Sequence, residues 1–366
     1  MLNKKILIAT AKPISQSRRA NSLLEMMASS NELAVLSPDT NSMTDAVTHT
    51  LVYRSLSGFD KKSQALAKSL GWISLVSVFS ERQLTLDLSK NAFNQFDVIF
   101  VLDLMLLPLF KSVLGRVIFD GSELDFDHVL TRHYLKKYVV HTPFMISDDE
   151  NVSQSLADII DLDSLVLPPF PLEKNWTVQE IRIPLVNLDK TRIIALATTS
   201  ESASRIIEVS HLLHNRFHVY LMLEEMEQRE LGALIKKSKG VSQLTILPPV
   251  KDNDSMSHAS SFDVALVLEI EERQSASNAK FFGFDCLAAG LPLIANTNTL
   301  LGRWVEDNDA GVVVKEELAG KELAQAINVL SPALIATQSG NATKSMENNT
   351  FDKFFNTLLT LVSRRL

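Results

Sequence analysis

The sequence predicts an α/β protein built from two doubly wound domains. Three observations carry that prediction: a length of 366 residues, short apolar runs rich in β-formers alternating with longer amphipathic stretches, and a proline-rich break near the middle. A single hydrophobic core stops growing at about 250–300 residues, so this length asks for two. The alternation is that of parallel strands joined by crossover helices. Runs that stay apolar at every position imply strands buried on both faces, with helices on each side of the sheet.

In the first half, strands are expected at residues 5–9, 33–36, 51–53, 96–102 and 116–120. Helices are expected at 19–27 and 61–70, with an apolar helix around 106–113. Between Leu167 and Lys190 the periodicity breaks at Pro168, Pro169, Pro171 and Pro184. Proline lacks the N–H and fixes φ, so the linker is expected there. Alternation resumes with strands at 192–196, 217–223, 244–247, 264–268, 293–295 and 312–314. The intervening helices are expected at 202–211 and 228–237, in a segment ending at Gly290, and at 321–330. A polar stretch at 338–349 follows Pro332. Phe351, Phe354, Phe355, Leu358 and Val362 then recur at helical spacing, which gives a last helix with one apolar stripe. The expected division is a first domain at 1–185, a second at 186–340 and a terminal helix at 341–366.

With 46% hydrophobic and 22% charged residues the composition is globular, and a formal net charge of -7 argues against a general nucleic-acid binder. Such a binder needs a concentrated basic face. Cys286 is the only cysteine, which excludes an intramolecular disulfide framework and a cysteine zinc cage. The cytosol is the expected compartment. The run Ile6-Leu7-Ile8-Ala9 is too short for a signal peptide's hydrophobic region, and no segment reaches the roughly 18 apolar residues of a membrane span. Any membrane contact is therefore expected to be peripheral. The basic and aromatic stretches 61–72 and 131–138 would supply it at the inner face of the plasma membrane, although an ordinary solvated helix face explains both. The same helices leave self-association open. His128, His133 and His141 lack an acidic partner at metal-ligand spacing, so no metal is expected. Asp148-Asp149-Glu150 and Glu271-Glu272 read as solvated loop charges.

The segment from Ser277 to Ala295 carries the most chemistry. Ser277 or Asn278 is a good N-cap, Gly290 a good C-terminal stop, and Pro292 prevents the helix from continuing. The free amides and positive dipole end of that helix attract a pyrophosphate, and Lys280 adds a full charge. Asp285 follows Asn278 by two turns on about the same face, where a carboxylate can bridge two vicinal ribose hydroxyls. In the first half, the loop containing Ser15 and Arg18 follows the first strand, and Glu123 follows the strand at 116–120. Ligands bind at such carboxyl ends in open α/β sheets.

Phe282-Gly283-Phe284-Asp285-Cys286-Leu287-Ala288-Ala289-Gly290-Leu291-Pro292-Leu293-Ile294 resembles the signature of retaining glycosyltransferases of family four. The segments 300–314 and 261–266 are similar to the helix, turn and strands that flank this signature, and 117–124 resembles a strand ending in the family's Asp-x-His-Glu motif. The resemblance implies the GT-B architecture: two Rossmann-like domains facing a cleft, with the last helix crossing back to the first domain. It implies a nucleotide sugar as substrate, no cofactor, and a glycan, lipid-linked or protein-linked acceptor in surface polysaccharide or glycoconjugate assembly. The donor would be held by Ser277, Asn278, Lys280, Asp285, Arg205 and Thr198. Ser15 and Arg18 would lie on the acceptor side, with Ser122 and Glu123 at the reaction. Anomeric configuration would be retained, with fixed positive charge rather than a metal balancing the departing diphosphate.

The chain departs from the family pattern at three places. Ser277 stands where the first of two glutamates is usual, Ser122 stands at the motif histidine, and residues 197–205 replace a glycine-rich turn followed by Arg and Lys. These departures motivate an alternative reading as a non-catalytic glycosyltransferase-like subunit that binds a partner enzyme or glycan. A sugar-nucleotide epimerase of the same architecture is a third reading, without a motif of its own.

Overall fold

The computed structural model describes residues 3–11, 14, 17–28, 30–37, 49–52, 92–122, 124, 130–162, 164–172, 189–223, 228–247, 259, 261–268, 276–315 and 320–365. The chain packs as two compact units, Met1–Pro168 with Asp352–Leu366, and Pro169–Phe351. The expected 185/186 boundary falls outside the described residues, as do the expected helix at 61–70, His128 and Glu271-Glu272.

In chain order the first unit contains β1 (Lys5–Ala9), α1 (Arg18–Met27), β2 (Glu32–Ser37), β3 (His49–Val52), β4 (Val98–Val101) and β5 (Val117–Asp120). It continues with α2 (Thr131–Lys137), β6 (Met145–Ser147), α3 (Glu150–Ala157) and β7 (Ser164–Val166). The seven strands form one sheet in the order β3-β2-β1-β4-β5-β6-β7, and every pairing is parallel. Residues of β1, β2, β4 and β5 are buried almost throughout, as continuous apolar runs require when helices lie on both faces. One core gathers Leu7, Ile99 and Phe119 with Tyr134 and Leu135 of α2 and Phe110. The apolar helix expected around 106–113 is instead a 3-10 segment, Leu104–Phe110, with Pro108 inside it. Proline at 108 has no N–H for an α-helical ladder and clashes with the preceding turn. Asp148 and Asp149, read from sequence as solvated, are 3% and 6% exposed. Asp149 caps α3 by accepting from the Asn151 N–H at 2.8 Å, so local capping holds it down.

The second unit runs β8 (Thr191–Ala197), α4 (Ser200–Leu212), β9 (Phe217–Leu223), α5 (Gln228–Ser238), β10 (Leu244–Ile246), β11 (Val264–Val267) and α6 (Ala276–Ala288). It ends with β12 (Leu293–Asn296), α7 (Leu300–Asn308), β13 (Gly311–Val314), α8 (Gly320–Asn328) and α9 (Pro332–Met346). Its six strands are ordered β10-β9-β8-β11-β12-β13 and all pair in parallel. Ile193, Ala195 and Ala197 of β8 share a core with Ile206 of α4 and Leu323 of α8, so the alternate residues Arg192, Ile194 and Leu196 face the other side. The polar stretch at 338–349 is not a break: most of it continues α9, because Ser331 caps that helix at the Leu334 N–H and Pro332 opens it. The last helix, α10 (Phe351–Arg365), groups with the first unit from Asp352 onward. Its expected stripe is buried at Phe355, Leu358 and Val362.

Candidate functional site

In a doubly wound sheet the ligand crevice lies beyond the carboxyl ends of the strands, where the connections diverge. In the second unit that point lies between β8 and β11, since β9 and β10 extend one way and β12 and β13 the other. Thr198, half-buried, leaves β8 there. Thr199 then forms a reciprocal capping box: its Oγ1 accepts from the Ser202 N–H and the Ser202 Oγ accepts from the Thr199 N–H, both at 3.1 Å. The amides of Ser200 and Glu201, which have no intrahelical acceptor, remain at the helix start. Arg205, half-buried, lies one turn further along α4.

The first turn of α6 forms a second anion-attracting terminus in this unit. The helix begins at Ala276, so Ser277 and Asn278 lie inside the first turn rather than at the cap position. Lys280 is half-buried. From Ala279 to Leu287 every other residue is buried, and Asp285 is 0% exposed. In this conformation its carboxylate presents no surface to a ribose, so contact requires that it be uncovered. The helix ends as expected: Gly290 has φ +80, and the Leu291 N–H donates to the Cys286 carbonyl at 2.9 Å in the Schellman pattern.

Asn296, at the carboxyl end of β12, is a residue the sequence reading passed over. It is 1% exposed, and among the described residues neither its Oδ1 nor its Nδ2 has a hydrogen-bond partner. A buried amide left so costs about 1–3 kcal/mol. The edge is therefore polar in a place where apolar packing would be more stable.

In the first unit the corresponding point lies between β1 and β4. Ser17 caps α1 at the Ala20 N–H, 3.2 Å, and Arg18 is half-buried beside it. Its neighbour Arg19 is 2% exposed. Nε of Arg19 donates to Asp120 Oδ2 at 2.7 Å and Nη1 to the Leu167 carbonyl at 3.0 Å. Asp120 Oδ1 accepts from the Ser122 N–H at 3.1 Å and from the Ser122 hydroxyl. The fold thus brings together Arg19, Asp120 and Ser122, while Ser15 and Glu123 lie outside the described residues. The chemistry of this trio is restrictive. The Asp120 carboxylate is taken up by the Arg19 guanidinium on one oxygen and by the Ser122 N–H and hydroxyl on the other, so the Ser122 proton is committed to Asp120 and its oxygen remains as an acceptor.

Among the described residues no three His, Cys, Asp or Glu side chains gather as a metal site would need. Among the same residues no helix is long and apolar enough to cross a membrane.

Two parallel, doubly wound units define the GT-B class of fold. Solved structures of that class match the chain end to end. The α,α-trehalose-phosphate synthase (UDP-forming) from Burkholderia vietnamiensis is similar with a TM-score of 0.68 and 11% identity, covering 99% of this chain and 100% of that one. WaaG, a glycosyltransferase involved in lipopolysaccharide biosynthesis, gives 0.66 and 11% over 98% and 99%. Anabaena HepE in complex with UDP and glucose gives 0.70 and 12% over 99% and 100%. At these identities the likeness concerns the fold. No protein-family profile and no curated protein matches the sequence.

Proposed function

We propose that this chain is a sugar-nucleotide-dependent glycosyltransferase that transfers a sugar to a glycan, lipid-linked or protein-linked acceptor. The observation that carries the reading is the pair of helix starts in the second unit. The α4 start with Arg205 and the α6 start with Lys280 both follow strands that meet at the sheet's divergence point, where a diphosphate is best received. End-to-end similarity to structures described with UDP and glucose, or as a UDP-forming synthase, supports it. The diphosphate would lie against Ser277, Asn278 and Lys280, with Thr198 and Arg205 on its other side. Asp285 would meet the ribose once uncovered. Ser122, and Glu123 beyond it, would receive the acceptor with Ser15 and Arg18. The reaction would retain anomeric configuration, with the leaving diphosphate balanced by Lys280, Arg205 and the two helix starts and no step routed through a metal. Surface polysaccharide or glycoconjugate assembly at the cytoplasmic side of a membrane is the setting this chemistry fits.

Thermal stabilisation by UDP, GDP, ADP and their sugar conjugates tests the proposal. A ligand held by the folded state at a hundred times its Kd adds about 2.7 kcal/mol. One nucleotide should raise the midpoint, and Lys280→Glu and Arg205→Glu should abolish that shift. No shift across the panel would sink the donor site.

One specific observation favours the non-catalytic reading as second choice: the Arg19–Asp120–Ser122 trio leaves no unengaged carboxylate oxygen. Nucleotide binding without transfer or hydrolysis of any bound donor would support it.

A further inference from the structure

We infer that Ser122 is a specificity residue of the first unit, which reads a sugar hydroxyl by accepting a hydrogen bond from it. The inference rests on the transferase reading above and narrows it: the acceptor presents an uncharged hydroxyl to Ser122 rather than a phosphate or a carboxylate. Ser122 stands half-buried just past β5, one strand beyond the divergence point between β1 and β4. That is the carboxyl edge of the sheet, where ligands are received. Its turn is fixed on both sides. The Gly121 N–H donates to the Ile146 carbonyl at 2.8 Å, and the Leu124 N–H to the Gly121 carbonyl at 3.2 Å. Within that turn the Ser122 N–H and hydroxyl both donate to Asp120 Oδ1. Asp120 is held in turn, because its Oδ2 accepts from Arg19 Nε at 2.7 Å while Arg19 Nη1 donates to the Leu167 carbonyl at 3.0 Å. Asp120 and Arg19 are 1% and 2% exposed, so they act through Ser122, as positioning residues.

A serine hydroxyl has one proton and two lone pairs. Here the proton is spent on Asp120, and among the described residues nothing donates to the Ser122 oxygen. What faces a ligand is an acceptor of fixed direction. An ionised carboxylate or a phosphate dianion has no proton to offer it and would set lone pair against lone pair. A sugar hydroxyl donates to it without any rearrangement of the turn. A site built to pair with one polar group discriminates against an analogue that cannot complete the pair.

Deoxyfluoro sugars test this, since fluorine keeps roughly the size of a hydroxyl but cannot donate. The full-length chain is titrated with the methyl glycosides of glucose, galactose and mannose by saturation-transfer NMR, and the best binder is compared with its monodeoxyfluoro analogues. Fluorine at one ring position is expected to weaken binding about three- to tenfold, the worth of one neutral hydrogen bond. A phosphate at the same position should abolish binding. Ser122→Ala, which leaves the Arg19–Asp120 pair in place, should bind the hydroxyl and fluoro sugars alike. In Asp120→Asn, Arg19 takes the amide oxygen and the amide N–H then faces the Ser122 oxygen, so the preference for hydroxyl over fluorine should vanish there too. Loss of stability alone does not move that ratio, and if Asp120→Asn fails to fold, Ser122→Ala decides. Absence of saturable binding by every glycoside, unhindered binding of the phosphate, or a fluorine effect equal in the wild type and Ser122→Ala would overturn the inference. A nucleotide-dependent thermal shift that persists beside any of these results places the failure at Ser122, whereas absence of that shift counts against the transferase reading itself.

Discussion

Arg19 and Asp120 show how much a single side chain's surroundings decide. Both are buried, 3% and 0% exposed at their side chains, so removing one partner strands a charge away from water. Arg19→Met or Asp120→Asn is expected to cost about 3–5 kcal/mol, whereas the double change to Met and Leu should recover most of it. Urea unfolding of the three variants checks this, and a double-variant loss equal to the sum of the two single losses would mean the pair is not coupled. His218 offers a second test at this scale. Burial above all, and the nearby Lys190 charge, hold its ring below the ordinary 6.5. Its Nε2 meets Thr245 Oγ1 at 2.8 Å, and the Tyr220 ring lies 4.8 Å away. The unfolded chain therefore takes up a proton before the folded one does. This group's contribution is complete above about pH 6.5 and is lost as pH falls toward the lower folded-state value. The stability difference between the wild type and His218→Gln should shrink over that range, and a difference that is flat with pH would refute the account.

At the scale of elements, glycines in helices separate packing from propensity. A Cβ on Gly302, in the first turn of α7, would sit 1.9 Å from the Asn296 carbonyl oxygen. Gly302→Ala must push α7 off β12 and should destabilise by about 1–3 kcal/mol. Exposed Gly232 in α5 has nothing within 4 Å of such a Cβ, so Gly232→Ala should stabilise by up to about 1 kcal/mol. Thermal melts of the two variants should move in opposite directions. The end of α6 was legible beforehand because Gly290 and Pro292 act locally through φ and the missing N–H. Its start was read two or three residues late, since Ser277 is an attractive cap in isolation but the helix takes in Ala276 and Ser277 as well. The short strands Met145–Ser147 and Ser164–Val166 were not foreseen. At three residues each they carry no periodicity, and only pairing at the edge of a sheet defines them.

At the scale of the whole molecule, each unit owns a core, and α10 belongs to the first although it follows the second in sequence. Ending the chain after residue 350 is expected to lower the melting of the first unit while sparing nucleotide-dependent stabilisation of the second, as calorimetry with and without nucleotide would show. A loss of both would mean that the last helix supports the entire chain. The two-domain parallel architecture and the motif around Asp285 were determined by the sequence itself, because periodic burial, Gly and Pro act over a few residues and leave their mark there. Only the tertiary structure decided that Asp285 is covered, that Arg19 rather than Arg18 is the buried arginine, and that Ser122 is tied to Asp120. Burial and ion pairing join residues a hundred positions apart, and no local pattern records which of two neighbouring arginines turns inward.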